Sequence, residues 1–461
     1  MNKEWLKLRE ILLFNTPVDK FKSTYGSLIE NYLEELESSP NKRREEIFTL
    51  LSEISVDLNS YLTNWHLIKT SNRDKPINKI IGLGTKKIFS IFERYNNSEK
   101  VNCIKEKIKE IKNSNLYKLT VMADKSLINN RWGNDASYGL TDALRKGAIL
   151  VTTNPVMINS DRTMNPDNWK KFKENNKKDT PGLSSGELVR LKTIDIVLKN
   201  ARELFPIFKA SNEKYGYVSL QMNPNLYNDS IKMAEEVETI YEYITRSLNH
   251  KPNIIFKVPG TKAAIITAGR LTSKGIGVNI TLSCSIDQHL AFAEVIEKGN
   301  AKLSFVVMMN GRLDDLVKEE LLKQGCSEAE ELSRWASTAV VKKSYKLLHK
   351  VNGFEKSNIL VASLRGPWNI ENLITDEKYP IFITVFPDKA KEYDEIEREI
   401  EPGIDKKIPD EILLKLKKSK IFLKAYNVGA LTPDGFDDFY PVKKTLKQFI
   451  DSYDDSLDYM S

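Results

Sequence analysis

The 461-residue sequence has little cysteine and no long apolar segment near its N-terminus. Its three cysteines, Cys103, Cys284 and Cys326, lack paired spacing, so neither a disulfide framework nor a cysteine-based zinc site is indicated. The uncharged stretch ILLFNTPV is too short to cross a bilayer, and no signal-peptide pattern surrounds it. These absences predict a soluble protein of a reducing compartment, and we expect it in the cytoplasm, with no membrane partner.

The charge balance also excludes several classes of function. The chain carries 70 basic and 63 acidic residues, a formal net charge of +7, with both signs interspersed. It has no basic stripe with interleaved aromatic residues, so we expect no nucleic-acid partner. The four histidines form no ligand pairs, and we expect no structural or catalytic metal. A mild basic excess is compatible with small anionic substrates.

The first part of the chain has a helical pattern. Apolar residues recur at three- and four-residue spacing within charged text, as in REEIFTLLSEISVDLNSYL and VNCIKEKIKEIKNS. At 461 residues the chain exceeds the size of one core, so we predict a helical N-terminal extension (1–115) and a second unit (116–461). The amphipathic helices could pack against that unit or self-associate, which leaves a homo-oligomer open.

From residue 117 onward, short β-rich segments alternate with helical patterns. Eight such strands predict an α/β fold, a (β/α)8 TIM barrel followed by C-terminal helices. A doubly wound open sheet also alternates strand and helix, but its glycine-rich turn is missing after the first strand. The predicted strands are KLTVMAD (118–124), AILVTTN (148–154), YVSLQM (217–222), NIIFKVP (253–259), VNITLS (278–283), KLSFVVMM (302–309), NILVAS (358–363) and PIFITVF (380–386).

Polar residues share one face of several predicted strands and cluster toward their C-terminal ends. Because residues i and i+2 of a strand share a face, the apolar set would pack under helices and the polar set would point into the barrel. TIM-barrel enzymes keep their active sites at this end. The polar residues that share a face or follow a strand are Asp124, Asn154, Ser219, Gln221, Lys257, Asn279, Thr281, Arg312, Ser363 and Arg365.

Lys257 is the most informative of these residues. Apolar walls disfavour the charged form of a lysine, which lowers its pKa and makes its amine nucleophilic. Two other interpretations stay open at this point: a salt bridge to Asp124 inside the barrel, or an early strand end that leaves Lys257 at the surface. A Schiff-base lysine is the leading hypothesis.

The polar residues around Lys257 suit carbonyl chemistry. Asp124 could move protons to and from a substrate hydroxyl, and Asn154 and Asn279 could bind hydroxyl groups. Thr281 with Gln221 could position a water for forming and hydrolysing an imine.

Two arginines suit an anion. The donor forks of Arg312 and Arg365 match a phosphate at the far end of a sugar. For either arginine alone, a structural salt bridge is an equally good interpretation. Their predicted position at the same barrel mouth favours the anion site.

Five segments resemble, in order, the transaldolase family of class I aldolases: DALRKGAILVTTNPVMI, YVSLQMNPNLYND, IIFKVPGTKAAIITAGRLTSKGIGVNITLSCSIDQHLAFAE, NGRLDD and ASLRGPWNIENL. The resemblance covers roughly residues 117–390 and, more loosely, the C-terminal helices. It implies transfer of a dihydroxyacetone unit between sugar phosphates, as in the pentose phosphate pathway, through a lysine Schiff base and without a cofactor. The implied roles are Lys257 for the Schiff base, Asp124 for acid/base catalysis, Thr281 and Gln221 for the catalytic water, Asn154, Asn279, Ser285 and Ser363 for the substrate, and Arg312 and Arg365 for the phosphate.

Two positions depart from the family pattern. Gln221 stands where transaldolases usually have glutamate, a residue also seen in the fructose-6-phosphate aldolase branch. Met309 stands three residues before the phosphate arginine, where the aldolase branch has a tyrosine. Three functions therefore remain: a transaldolase, an aldolase that cleaves a ketose phosphate, or a non-catalytic sugar-phosphate-binding scaffold that uses its N-terminal helices to bind a partner.

Overall fold

The N-terminal part of the chain is helical in a computed structural model, which describes residues 3–68, 75–180 and 182–461. Within the described residues up to 115 there is no β-strand, as the charged amphipathic pattern predicts. Apolar side chains of these helices, among them Phe21, Ile47 and Phe92, are buried in one core that is continuous with the rest of the protein. The helices are α1 (Lys3–Glu10), α2 (Phe21–Ser38), α3 (Asn41–Leu58), α4 (Leu62–Ile68), α5 (Lys75–Arg94), α6 (Ser98–Asn113) and α7 (Asn115–Asp124).

Eight parallel strands then close into a barrel, which confirms the predicted fold class. Each strand pairs with the next along the chain, and the first pairs with the last. The register sets Lys257 beside Gln221 on one side and Asn279 on the other. The strands are β1 (Asn130–Asn134), β2 (Leu150–Val151), β3 (Tyr217–Gln221), β4 (Ile254–Pro259), β5 (Val278–Thr281), β6 (Ser304–Met309), β7 (Ser357–Ala362) and β8 (Ile381–Val385).

Helices cover the barrel and fill its two long connections. The link from β2 to β3 carries three helices, and the link from β6 to β7 carries three more. They are α8 (Leu140–Arg145), α9 (Pro155–Met164), α10 (Pro166–Asp179), α11 (Ser185–Ala210), α12 (Ser230–Leu248), α13 (Lys262–Ser273), α14 (Ile286–Glu297), α15 (Asn310–Lys323), α16 (Ala329–Ser333), α17 (Ala336–Tyr345), α18 (Trp368–Glu371), α19 (Pro387–Asp394), α20 (Asp410–Leu416), α21 (Lys420–Tyr426) and α22 (Tyr440–Met460). The C-terminal helix α22 packs against α9 and α11.

The first predicted strand is wrong. KLTVMAD lies in helix α7, because Leu116, Leu119 and Ala123 recur at helical spacing and are buried on one face. Ser114 caps the helix by accepting a hydrogen bond from the backbone N–H of Tyr117 at 3.3 Å. The true first strand is NRWGN, whose polar side chains conceal it in the sequence. It is a strand because both neighbours, β2 and β8, pair with it.

The other seven predicted strands are confirmed, with ends that differ by a few residues. The largest difference is at AILVTTN, where the paired strand is only Leu150–Val151. Beyond it the chain turns toward α9, which Asn154 caps. The division of the chain at residue 115 into two units stays a prediction.

A buried ion network joins the N-terminal helices to the barrel. The carboxylate of Asp57 in α3 is fully buried and accepts hydrogen bonds from Trp5 Nε1 at 2.8 Å, Arg9 Nε at 2.9 Å and Arg145 Nε at 2.8 Å. Arg145 belongs to α8, the first helix after β1. Burial alone would raise the pKa of Asp57, but the two guanidinium groups outweigh it and lower this pKa below its ordinary value. The charge of Asp57 is therefore kept because both arginines contact it.

Asp57→Ala should destabilise the protein by about 3–5 kcal/mol, because it leaves buried guanidinium groups without this partner. Urea unfolding followed by circular dichroism measures the difference. The matched control is Asp438→Ala, which removes an exposed pair with Lys443 and should leave the midpoint nearly unchanged. Because the pKa of Asp57 is lowered, its stabilisation is present above the ordinary aspartate pKa and is lost only as the pH falls through the lowered value. Equal midpoints for the two variants would refute this role of Asp57.

Candidate active site

Lys257 lies inside the mouth of the barrel. It is the fourth residue of β4, is 5% exposed, and its Nζ donates a hydrogen bond to the backbone oxygen of Thr153 at 3.1 Å. Burial lowers the pKa of the ammonium, and the charge of Asp135 partly opposes that shift. The interpretation of Lys257 as a surface residue is therefore wrong, and the lowered pKa favours the neutral form of the amine, which is the nucleophilic one.

The carboxylate near Lys257 belongs to Asp135, which directly follows β1. Asp135 is 4% exposed, and its carboxylate accepts a hydrogen bond from the Thr152 hydroxyl. Burial raises the pKa of Asp135, while Lys257, the Thr152 hydroxyl and the backbone amide of Ser363 oppose the rise. A carboxyl with a raised pKa beside an amine with a lowered pKa is a pair suited to proton transfer.

The structure contradicts the placement of Asp124 in this site. Asp124 is the last residue of α7, and its carboxylate accepts a hydrogen bond from the Tyr61 hydroxyl at 2.5 Å. Its charge acts on Arg131 near the start of β1, whereas Lys257 lies toward the end of β4. The proposed salt bridge between Asp124 and Lys257 is therefore wrong. Sequence reasoning missed Asp135 because the polar strand before it has only Trp132 as an apolar signal.

Several polar side chains of the mouth have atoms without a partner. Gln221 Oε1 and Asn279 Oδ1 are buried and accept no hydrogen bond from the described residues. A buried polar atom left unpaired costs about 1–3 kcal/mol, so their accumulation beside Lys257 is typical of a ligand site. Asn154 lies at the start of α9, where its Oδ1 accepts from the backbone N–H of Met157 at 3.0 Å. The amide nitrogen of Asn154 is the atom left to contact a substrate.

Met309 contacts the threonine that was expected to hold a water. The Thr281 hydroxyl lies 3.6 Å from the Met309 sulfur, and the backbone N–H of Leu282 lies 3.3 Å from the same atom. Leu282 has a φ of 55°, a conformation that non-glycine residues rarely adopt. The Met309 sulfur, a soft acceptor, thus contacts the Thr281 hydroxyl. A water bound to this hydroxyl must compete with the sulfur.

Arg312 and Arg365 lie close together at the ends of β6 and β7. Gly311 lets them approach, because a Cβ at this residue would lie 2.3 Å from Cζ of Arg365. Arg312 Nε is buried without a partner among the described residues. Burial and then the charge of Arg365 lower the pKa of Arg312, and Asp315 opposes this. Arg365 also forms a salt bridge with Asp315 at 2.7 Å, so an anion site at these two neighbouring guanidinium groups stays a prediction.

Two serines of the predicted set contact other protein groups. Ser285 caps α14, since its Oγ accepts from the backbone N–H of Gln288 at 3.2 Å and contacts Gln288 Oε1 at 3.0 Å. Ser363 has a φ of 61°, and its Oγ accepts from Arg365 Nη1 at 3.3 Å. Ser285 thus shapes the mouth through its cap, and Ser363 acts on Arg365. A direct substrate contact by either serine stays a prediction.

Two features are absent from the described residues. In the described ranges, no group of three His, Cys, Asp or Glu side chains is arranged to hold a metal ion. Over the same part of the chain, none of the helices combines the length and apolar character needed to cross a membrane.

A family model described as Transaldolase/Fructose-6-phosphate aldolase matches residues 138–450. The chain belongs to this family. The match covers the site residues from Asn154 to Arg365 and begins three residues after Asp135.

Individual relatives carry the name transaldolase. The chain is 30% identical to one from Thiobacillus denitrificans over 31% of its own length and 42% of the relative. It is 27% identical to transaldolase 1 of Streptomyces avermitilis over 40% of its length and 50% of the relative. A transaldolase of Mycobacterium leprae is 30% identical over 38% of this chain and 48% of the relative. The chain therefore spans about half the length of these relatives.

Asp135→Asn should lower the pKa of Lys257 further, because it removes the charge that stabilises the ammonium. Nuclear magnetic resonance titration of lysines labelled by carbon-13 reductive methylation measures this pKa, with Lys257→Met to assign the signal. Asp124→Asn is the control and should leave the titration unchanged. A Lys257 signal that shifts with Asp124→Asn and not with Asp135→Asn would contradict the site geometry.

Proposed function

We propose that the protein is a transaldolase-type enzyme that transfers a dihydroxyacetone unit between sugar phosphates through a Schiff base on Lys257. The observation that carries the proposal is the buried amine of Lys257, with its lowered pKa, acted on by the charge of the buried Asp135. Two arginines at the same mouth supply the phosphate site. Family membership and relatives named transaldolase support this reaction class.

The reaction begins at the substrate carbonyl. The neutral amine of Lys257 attacks carbon 2 of the ketose, the carbonyl oxygen takes up a proton, and loss of water gives the imine. Asp135 then accepts the proton of the hydroxyl on carbon 4. The bond between carbons 3 and 4 breaks, its electron pair moves into the enamine, and an aldose phosphate leaves.

Transfer is the reverse of this cleavage with a second aldehyde. The enamine carbon attacks the aldehyde of the acceptor, Asp135 returns its proton to the new hydroxyl, and water hydrolyses the imine to release the longer ketose. Asn154 and Asn279 bind hydroxyl groups of the bound unit, and Arg312 and Arg365 bind the phosphate of donor and acceptor alike. Each step conserves atoms and electrons without a cofactor.

Gln221 and Met309 affect the fate of the imine. An amide at residue 221 can hold a water but accepts no proton, and the Met309 sulfur competes for the Thr281 hydroxyl. Slow hydrolysis lengthens the life of the enamine, which favours capture by an acceptor aldose over loss to water. The second candidate is aldolase-type release of free dihydroxyacetone, which requires that a water held by Gln221 hydrolyse the imine despite the Met309 contact. Its support is the resemblance to the aldolase branch, which also has glutamine at this position.

Borohydride should trap a substrate fragment on Lys257 when fructose 6-phosphate is present. Peptide mass mapping is expected to show a three-carbon adduct on wild-type protein. Asp135→Asn should instead accumulate the intact six-carbon phosphate adduct, because the imine forms but the hydroxyl proton has no acceptor. Asp124→Asn is the matched control and should behave as wild type.

The trapping experiment also separates catalysis from binding alone. An unmodified Lys257 in folded protein that binds fructose 6-phosphate would refute the enzyme and support the scaffold hypothesis. Calorimetric titration with fructose 6-phosphate supplies the binding measurement.

Turnover of fructose 6-phosphate should depend on an acceptor. Erythrose 4-phosphate is expected to raise the release of glyceraldehyde 3-phosphate at least tenfold, since the enamine is captured rather than hydrolysed. A coupled dehydrogenase assay with and without the acceptor measures this ratio. Equal rates in both assays would exclude the transferase and establish the aldolase.

A further inference from the structure

The main chain of Arg365 is held by a buried amide that the proposed mechanism does not use. The backbone N–H of Arg365 donates to Asn369 Oδ1 at 2.8 Å, and Asn369 is fully buried at the start of α18. Arg365 lies two residues after Ser363, whose backbone is left-handed. The guanidinium of Arg365 occupies the space that a side chain at Gly311 would fill. A small movement of this main chain would therefore displace the guanidinium.

Asn369 can serve Arg365 only with its amide in one orientation. Its oxygen must face the Arg365 N–H, since the amide nitrogen is itself a donor. The opposite end of the amide, Nδ2, lies 3.5 Å from Asp314 Oδ2. In its ionised form Asp314 accepts and cannot donate, so it selects this orientation over the flipped one, as the N–H of Arg365 does independently.

Asp314 is in turn fixed by α17. It accepts from the backbone N–H of Ser337 at 2.8 Å and from the Ser337 hydroxyl at 2.9 Å. Burial raises the pKa of Asp314 to about 7, while the donors of Ser337 and Asn369 oppose the rise. Asp314 lies two residues after Arg312 and away from Lys257, so it has no part in the proposed chemistry. Its raised pKa indicates that burial of this carboxyl costs free energy.

The side chain of Arg365 has its own partners. Its position also depends on the main chain that carries it. Nη2 of Arg365 donates a hydrogen bond to Asp315 Oδ2 at 2.7 Å, and Nη1 of Arg365 donates one to the backbone oxygen of Ser363 at 3.2 Å. The same Ser363 oxygen accepts the backbone N–H of Gly311 at 2.9 Å. Asp315 and Ser363 thus hold the guanidinium end of the side chain, and Asn369 holds its main-chain end.

We propose that Asp314 and Asn369 are positioning residues, which orient Arg365 and thereby set the affinity for the phosphate group of the substrate. This inference rests on the proposed role of Arg312 and Arg365 as the phosphate site. Asp314 fixes the amide of Asn369, Asn369 fixes the backbone of Arg365, and neither side chain needs to touch the substrate.

Asn369→Leu should raise the KM for fructose 6-phosphate about tenfold and leave kcat within about twofold, because one aligned hydrogen bond is lost. The KM for fructose without phosphate should not change, a split that a general loss of structure would not produce. Calorimetric titration with inorganic phosphate should show the same tenfold weakening. Asp314→Asn, which offers one acceptor oxygen to three donors, should weaken phosphate binding about threefold.

Asn372→Leu is the matched control. Asn372 follows α18, and its amide donates to the backbone oxygen of Trp368 at 3.0 Å, so it lies outside the Arg365 network. This variant should bind phosphate as wild type does. Asn369→Ser provides a milder change if Asn369→Leu does not fold, which circular dichroism establishes beforehand.

The outcomes separate this inference from the proposed function. Unchanged phosphate affinity in Asn369→Leu or Asn369→Ser would overturn the inference, even if wild-type protein traps dihydroxyacetone on Lys257. An equal loss for fructose with and without phosphate would also overturn it. Weaker phosphate binding without any trapped imine would leave the inference standing and refute the enzyme.

Discussion

The burial of the Lys257 ammonium is the constraint on which the site depends. An isolated lysine inside a barrel would lose its proton or destabilise the fold. Its surroundings must therefore compensate for part of the cost of burying the ammonium charge, but not for all of it. Here a backbone oxygen contacts Nζ, and the charge of Asp135 opposes the effect of burial on the pKa. Full neutralisation by a close ion pair would have kept the amine protonated and inert. Partial compensation is what the proposed reactivity of the amine requires.

The same balance recurs at the phosphate end of the mouth. Arg312 and Arg365 repel each other, and Asp315 relieves only part of that repulsion because it contacts Arg365 alone. Left-handed backbone at Leu282 and Ser363 adds strain in the two loops that flank these arginines. A bound anion would relieve the repulsion, which supports the proposed preference for a phosphorylated substrate.

Much of this arrangement could be predicted from the sequence, and the exceptions have one cause. Seven strands have apolar or β-branched residues that reveal a buried segment, and Lys257, Asn279 and Thr281 follow from their alternation. The first strand is polar and is defined by pairing with its neighbours, which no local pattern records. Because this strand was missed, the carboxylate expected beside Lys257 was assigned to Asp124 and not to Asp135. Contacts between distant residues, such as Met309 with Thr281, were likewise beyond reach because they depend on the register of two strands.

The N-terminal helices affect the site through β1, the strand that the sequence pattern does not reveal. Arg145 of α8 contacts Asp57 of α3, and the Tyr61 hydroxyl contacts Asp124 of α7. Both contacts flank β1, whose last residue precedes Asp135. A polar strand gains little from burial of apolar side chains, so its position depends more on neighbouring elements than that of β4 or β6. The helices therefore stabilise the part of the barrel that carries Asp135, which gives them a structural role beside the candidate site.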